Sequence, residues 1–295
     1  MREDIKELLK RYDEIGALIL EQKLDEFGDK LDQKPDGVDD VTYEEYIQRL
    51  AKEETDIATD KLENEPDEKL GDKSMRQIWD EMSFEEKTEA LEFSSLNLDR
   101  GVPKSLIASI ATEPSDMVRD YCGRIIGECA WTEEEMSDED VLFEMQFQKA
   151  IACFKVLIQM KEPCFIKAVI DRYMSYGQTR EFVAESIAEY VEAFPEVSEP
   201  FLIDLIESNT ESGLEGPCED CVIMLTEIGK QHKTEEIYQA DDRAVSMFKN
   251  YINRNQKTIE RDLFYEMMSA IQHLGGDISD IQDPFGDFQK KQAKN

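Results

Sequence analysis

The sequence predicts an all-α protein in which paired helices stack into a right-handed α–α superhelix behind an N-terminal helical cap. Apolar residues recur at helical spacing, as in the run Ile5, Leu8, Leu9 and Tyr12. The 9 prolines and 14 glycines fall between such segments instead of within them. Similar segments recur along the chain, which is the signature of stacked helix pairs. No run of strict apolar–polar alternation indicates a β-strand.

Hydroxyl residues mark two of the expected helix starts. Ser83 lies three residues before Glu86, and Thr132 lies three residues before Glu135. This spacing lets the hydroxyl and the carboxylate bond to each other's backbone N–H groups in a capping box. Helices are therefore expected to begin at about residues 84 and 133.

Charge and composition predict that the chain is divided into three parts. Residues 1–100 carry 31 acidic and 15 basic side chains, and they include a loop-like stretch at 29–40 and a polar run at 52–72. These features predict an acidic helical cap or appendage over residues 1–75 and a repeat region over residues 76–280. Residues 281–295 are expected to form a polar C-terminal tail.

The overall charge favours one class of partner. The 68 acidic residues against 34 basic ones give a formal net charge of −34. Such a chain repels phosphate backbones and anionic headgroups, so the sequence predicts no nucleic acid and no membrane as partner, but a basic protein or peptide. Solubility alone is an alternative explanation of the acidity.

The first residues and the cysteines bear on the cellular compartment. The chain begins with an amphipathic run and no short apolar region before a small-residue cleavage site. The 6 cysteines lie inside apolar helical runs, where a reduced thiol acts as a small hydrophobe. A cytoplasmic protein is expected.

One helix pair carries the clearest repeat. Residues 102–111 form a first apolar segment, residues 112–116 a turn, and residues 117–129 a second segment. The second segment resembles the HEAT-like repeats of the phycobilisome-lyase type, within the armadillo-like superfamily. The positions that fit are Asp116, Val118, Arg119, Ile126 and Gly127, with Cys122 and Gly123 in place of paired alanines. The resemblance implies close helix packing at the small residues, and capping and bridging roles for Asp116 and Arg119.

Looser copies extend this resemblance over about residues 100–276. In a copy 61 residues further on, Arg180 takes the place of Arg119, and a third copy begins 38 residues after that. The phase of the copies calls for an irregular or extra helix between about 131 and 160. Cys122, Cys153 and Cys221 fall in one repeat position, which predicts that they pack in the core.

Motifs for catalysis, cofactors or metals do not stand out. The single CxxC from Cys218 to Cys221 lacks the second CxxC or the βαβ context that zinc or redox chemistry requires. His232 and His273 are not at metal-ligand spacing, and residues 32–40 place a lysine where an EF-hand needs an acid. No phosphate-binding loop or nucleophile elbow is present. We therefore expect no catalytic residue, no cofactor, no metal and no enzymatic activity.

The strongest local charge feature predicts a docking site. Residues 125–148 contain no Lys, Arg or His. The candidate partner-binding residues there are Trp131, Glu133, Glu134, Glu135, Asp138, Glu139 and Asp140. The same acids would also suit a solvated turn followed by a helix start.

Two functions fit the predicted scaffold and its charge. The first is a non-catalytic HEAT-like binding module that recognises a basic protein or peptide through an acidic surface. The alternative is an inhibitor or immunity-type protein that neutralises a basic toxin or nuclease by mimicking nucleic-acid charge. Both predict salt-sensitive binding, but only the inhibitor must abolish an activity in a one-to-one complex.

Overall fold

A computed structural model describes residues 1–31, 40–129, 140–175, 181–210, 214, 216–235 and 242–286. These residues fold into α-helices joined by short turns, with no β-strand among them, which confirms the all-α prediction. An isolated antiparallel bridge joins Asp67 and Lys73. The described residues divide into two compact units, residues 1–129 with 140–160, and residues from 161 onward.

The first unit contains seven helices in its described part. They are α1 (Glu3–Leu31), α2 (Asp40–Asn64), α3 (Met75–Glu81), α4 (Phe84–Asn97), α5 (Lys104–Ala111), α6 (Ser115–Glu128) and α7 (Asp140–Met160). Both α3 and α4 begin with a capping box, at Ser74–Gln77 and at Ser83–Glu86. The second of these confirms the sequence prediction. Helix α7 packs against α4, α5 and α6.

Helices α1 and α2 form an antiparallel hairpin that a buried carboxylate joins to α5. Glu63 of α2 is 1% exposed. It accepts hydrogen bonds from the Tyr12 hydroxyl at 2.9 Å, from Lys104 N at 3.2 Å and from Ser105 N at 2.5 Å. Pro103, at the cap position of α5, makes no side-chain cap, so Glu63 supplies from another helix the acceptor that the first amides of α5 need. We call Glu63 and its three donors the Glu63 clamp.

The predicted boundary near residue 75 coincides with the start of α3. Helix α2 contacts α3 and α5, and α1 contacts α4. Backbone amides of Asp99 and Arg100 donate to the Asp13 carboxylate of α1 at 3.2 and 2.9 Å. The helices on both sides of residue 75 therefore pack together in one compact unit.

The second unit contains six helices in its described part. They are α8 (Ile166–Ser175), α9 (Glu181–Glu192), α10 (Pro195–Asn209), α11 (Pro217–Glu235), α12 (Asp242–Asn255) and α13 (Arg261–His273). Helix α11 packs between α9 and α13, while α10 packs against α8 and α12. Pro200 lies inside α10, so the prolines are not confined to the segments between helices.

Alternate helices of the second unit run in the same direction. Tyr190, near the end of α9, bonds to the Glu162 carbonyl before α8, so α8 and α9 are antiparallel. The end of α8 lies beside the start of α11, where Tyr173 donates a hydrogen bond to Asp220. At the other end of α11, Gly229 lies against His273, the last residue of α13. Helices α9, α11 and α13 are therefore parallel.

Residues 277–286, whose second half belongs to the predicted polar tail, pack along α12 and α13. Lys249 forms an ion pair with Asp280 at 2.7 Å. The ring of Phe285 contacts the rings of Phe264 and Tyr265, with centroids 5.6 and 6.1 Å apart. The ring of Phe285 thus holds the first residues of the predicted tail against α13.

None of the described helices combines the length and the apolar content that crossing a bilayer requires.

Candidate functional site

Most of the predicted docking residues lie outside the described part of the chain. These are Trp131, Glu133, Glu134, Glu135, Asp138 and Glu139, together with the expected cap at Thr132. Asp140 is the first residue of α7. The described residues on either side of this segment belong to the end of α6 and the start of α7.

The flank on α6 is electrostatically balanced. Lys149 bonds to Glu92 at 2.5 Å, and Arg124 pairs with Glu128 at 3.2 Å while lying over the ring of Tyr121. These side chains surround a small cleft of about 180 Å³. Burial raises the pKa of Tyr121 far above its usual range, with further contributions from Cys153 and Glu92. Because each of these charged side chains is paired with one of opposite charge, we interpret this cluster as structural.

The predicted repeat positions have different surroundings. Asp116 is exposed in the first turn of α6 and pairs with Arg119 of the same helix at 2.7 Å. Gly123 is half-buried in α6, whereas a Cβ on Gly127 would meet no atom within 4 Å. Close helix packing therefore does not require a glycine at position 127. Arg180 lies outside the described residues.

Five of the six cysteines are buried, whereas Cys164 is exposed in the turn that precedes α8, so the expectation that every cysteine lies in an apolar helical run is wrong for Cys164. Cys122, Cys153 and Cys221 are each 0% exposed, as the packing interpretation predicts. Burial raises the pKa of Cys218 to about 11 and raises that of Cys221 further. A reactive thiol has a lowered pKa instead, so the direction of these shifts favours the core-packing interpretation.

A different group of acids forms a surface on the second unit. The exposed side of α11 presents Glu219, Ile223 and Glu227, four residues apart and hence one above the other. Ile223, between the two acids, is 41% exposed. Because α11 packs between α9 and α13, the acids of those helices extend this surface on both sides. We use the name acidic face for the following set of side chains: Glu189, Glu192, Glu219, Glu227, Glu260, Asp262 and Glu266.

At the α13 side of the acidic face, carboxylates repel one another. The pKa of Glu219 is raised by burial, and then by the charges of Asp220, Glu260, Asp262 and Glu266. Tyr173 donates a hydrogen bond to Asp220, so that carboxylate has a partner. Within the described residues, no lysine or arginine forms an ion pair with Glu219 or Glu266. Negative charge is therefore concentrated at this end of the face.

The α9 side of the acidic face has the most perturbed carboxylate. Burial raises the pKa of Glu192 to about 7, and the charges of Glu227 and Glu189 raise it as well. Lys230 acts in the opposite direction on Glu192 and pairs with Glu227. One lysine thus faces three carboxylates at this end.

Sequence reasoning missed the acidic face because its members come from three helices. Glu192, Glu219 and Glu266 are separated by 27 and 47 residues in the chain. No local run of acids marks them. The spacing of Glu219, Ile223 and Glu227 on one side of α11 is the signal that could have located the centre of the face.

Another concavity lies in the first unit. A cleft of about 700 Å³ is lined by the first turns of α1, by residues 70–73 and by the end of α3. Arg2, Arg11 and Lys73 contribute positive charge, but each pairs with a carboxylate within 2.7 Å: Asp4, Asp67 and Glu81, respectively. These three cations are paired with carboxylates, so they are not left unpaired for an anionic ligand.

No group of three or more His, Cys, Asp or Glu side chains in the described part of the chain is arranged to hold a metal ion. No family model, no curated protein and no solved structure matches this chain.

Proposed function

We propose that the protein is a non-catalytic, HEAT-like repeat module that recognises a basic protein or peptide through the acidic face. The observation that carries this proposal is the group of neighbouring carboxylates at Glu219, Glu260, Asp262 and Glu266, whose charges act together on Glu219. Keeping such like charges together costs free energy in the absence of a cation. A basic ligand would remove that cost and gain charge-assisted hydrogen bonds.

The packing of the second unit supports the repeat part of the proposal. Its helices alternate between two layers, with α9, α11 and α13 parallel in one layer and α8, α10 and α12 in the other. In a solenoid of helix pairs each repeat contacts its neighbours in this way, and the exposed side of one layer forms an extended binding surface. The acidic face lies on the layer of α9, α11 and α13.

Ile223 supports a protein ligand over a simple cation. Protein interfaces combine an apolar centre with a polar rim, and Ile223 lies between Glu219 and Glu227 near the middle of the face. A basic segment with one apolar side chain would contact Ile223 while its charges meet the surrounding acids. The rim acids would mainly raise the association rate and make it depend on salt.

A binding experiment with a defined probe tests the proposal. The probe is a fluorescent lysine- and arginine-rich peptide with one leucine at its centre, followed by anisotropy between 25 and roughly 300 mM NaCl. The face variant carries Glu219→Gln, Asp262→Asn and Glu266→Gln. A matched control carries Glu14→Gln, Glu21→Gln and Asp120→Asn, three exposed acids of the first unit. Both variants lose the same charge.

We expect the face variant to bind roughly tenfold more weakly at low salt, because three exposed ion pairs contribute about 0.5 kcal/mol each. The control should bind like the unaltered protein. If the control loses as much affinity as the face variant, binding follows total charge and the acidic face is not the site. Proteins captured from lysate at low salt count as partners only if the face variant fails to retain them.

A further inference from the structure

The described fold ends next to the α13 side of the acidic face. Phe285 packs on Phe264 and Tyr265 of α13 and its backbone N–H donates to Asp283 at 2.8 Å. Tyr265 directly precedes Glu266 of the acidic face in the chain. Residue 286 is thus held beside the first half of the helix that carries Asp262 and Glu266.

The chain that follows has the opposite charge. Residues 287–295 read DFQKKQAKN, with three lysines and one acid, in a protein whose acids outnumber its bases two to one. The three lysines are Lys290, Lys291 and Lys294, and Phe288 precedes them. We call residues 287–295 the basic segment. It has the composition that the acidic face would select, basic residues with one large apolar side chain.

The geometry allows the basic segment to reach the face. Nine residues span at most about 30 Å when extended, whereas a helix with its side chains is only about 10–12 Å wide. From Gly286, the segment need only pass around α13 to bring lysines beside Asp262, Glu266 and Glu219.

We propose that the basic segment binds the α13 side of the acidic face of its own chain, with its lysines against Glu219, Asp262 and Glu266. The tether keeps the lysines at a high local concentration, so that contacts too weak to act between separate molecules become effective. The segment then competes with any basic partner, and this consequence rests on the proposed function. The contact itself does not.

A synthetic peptide of residues 286–295, with a fluorescent label at its N-terminus, tests the contact. It is titrated at low salt into the full chain and into a chain that stops at residue 286, which leaves the described fold complete. We expect binding to the shortened chain to be roughly three- to tenfold tighter than to the full chain. Replacing Lys290, Lys291 and Lys294 by glutamine in the full chain should reproduce the effect of the deletion. The face variant, introduced into the shortened chain, should lose the peptide, and the matched control should keep it.

Carbodiimide crosslinking of the full chain gives a second readout. The reagent joins a lysine amine to a carboxylate with loss of water, which the carbodiimide takes up. Intrachain links from Lys290, Lys291 or Lys294 to Glu219, Asp262 or Glu266 are expected at every protein concentration. Links that form only between copies, or links distributed over acids of both units, would overturn the proposal.

Two results would distinguish the intrachain contact from the proposed function. If the peptide binds the full and shortened chains equally, the segment does not occupy the face, although an unrelated basic peptide can still bind there. If the unrelated peptide is insensitive to the face variant while the crosslinks form, the proposed function fails and the intrachain contact stands.

Discussion

Removing the Glu63 carboxylate should destabilise the first unit more than any single contact of that carboxylate suggests. In Glu63→Ala, the Tyr12 hydroxyl and the amide of Ser105 lose their acceptor in a buried site, and Lys104 N loses its own in a partly buried one. An unsatisfied buried donor costs about 1–3 kcal/mol. With two such donors fully buried, we expect the free energy of unfolding to fall by about 3–4 kcal/mol.

Two milder substitutions should lower the free energy of unfolding by smaller amounts. Tyr12→Phe removes one donor and leaves Glu63 with its two backbone partners, so a loss of about 1 kcal/mol is expected. Glu63→Gln keeps one acceptor oxygen but turns an amide N–H₂ toward a donor, and it should fall between the other two variants. From largest to smallest, the loss of stability should follow the order Glu63→Ala, Glu63→Gln, Tyr12→Phe.

Tryptophan fluorescence can follow the first unit during urea unfolding. The chain has two tryptophans, so Trp131→Phe leaves Trp79 as the only one. Trp79 is fully buried, and its Nε1 donates to the Ser105 hydroxyl at 2.9 Å, next to the clamp. If Glu63→Ala costs no more than Tyr12→Phe in this background, the amides of α5 do not depend on Glu63 and the reasoning fails.

Two further predictions concern single residues. The pKa of Glu192, about 7, exceeds its ordinary value of 4.5, so the folded protein keeps a proton that the unfolded chain releases. Its contribution to stability therefore falls as the pH rises from about 4.5 to about 7, by about 1–2 kcal/mol after allowing for partial exposure. Glu192→Gln should remove this dependence and raise the urea midpoint at about pH 8; an unchanged midpoint would contradict the shift. Gly127→Ala should stabilise α6 by about 0.5–1 kcal/mol because its Cβ meets open space, whereas Gly276→Ala should destabilise, since its Cβ would lie 2.6 Å from Val245. Thermal melts of both variants check this, and equal shifts would contradict it.

Local patterns predicted the helices well because their causes are local. The capping box at Ser83 and Glu86 involves residues three apart, and its geometry follows directly from the sequence. The burial of Cys122, Cys153 and Cys221 followed from their position among apolar residues at helical spacing.

Longer-range features could not be predicted in the same way. The Glu63 clamp joins residues 51 and 42 positions apart, and nothing in the sequence near Glu63 distinguishes it from the other acids of this chain. The acidic face likewise depends on which helices become neighbours. In a protein with 68 acids, a local cluster attracts attention while a dispersed one does not. The predicted docking residues around Trp131 remain a prediction.

The parallel direction of α9, α11 and α13 gives the acidic face a polarity. Aligned peptide dipoles leave a partial positive charge of about half an elementary charge at each helix start and a partial negative charge at each helix end. The starts of α11 and α13 lie beneath Glu219, Glu260 and Asp262, where they offset part of the carboxylate repulsion. Glu192 lies at the end of α9, where the dipole adds to the negative potential. The helix dipoles therefore even out the potential along the helices, and the carboxylates at the α13 side remain the part of the face that a cationic partner would contact.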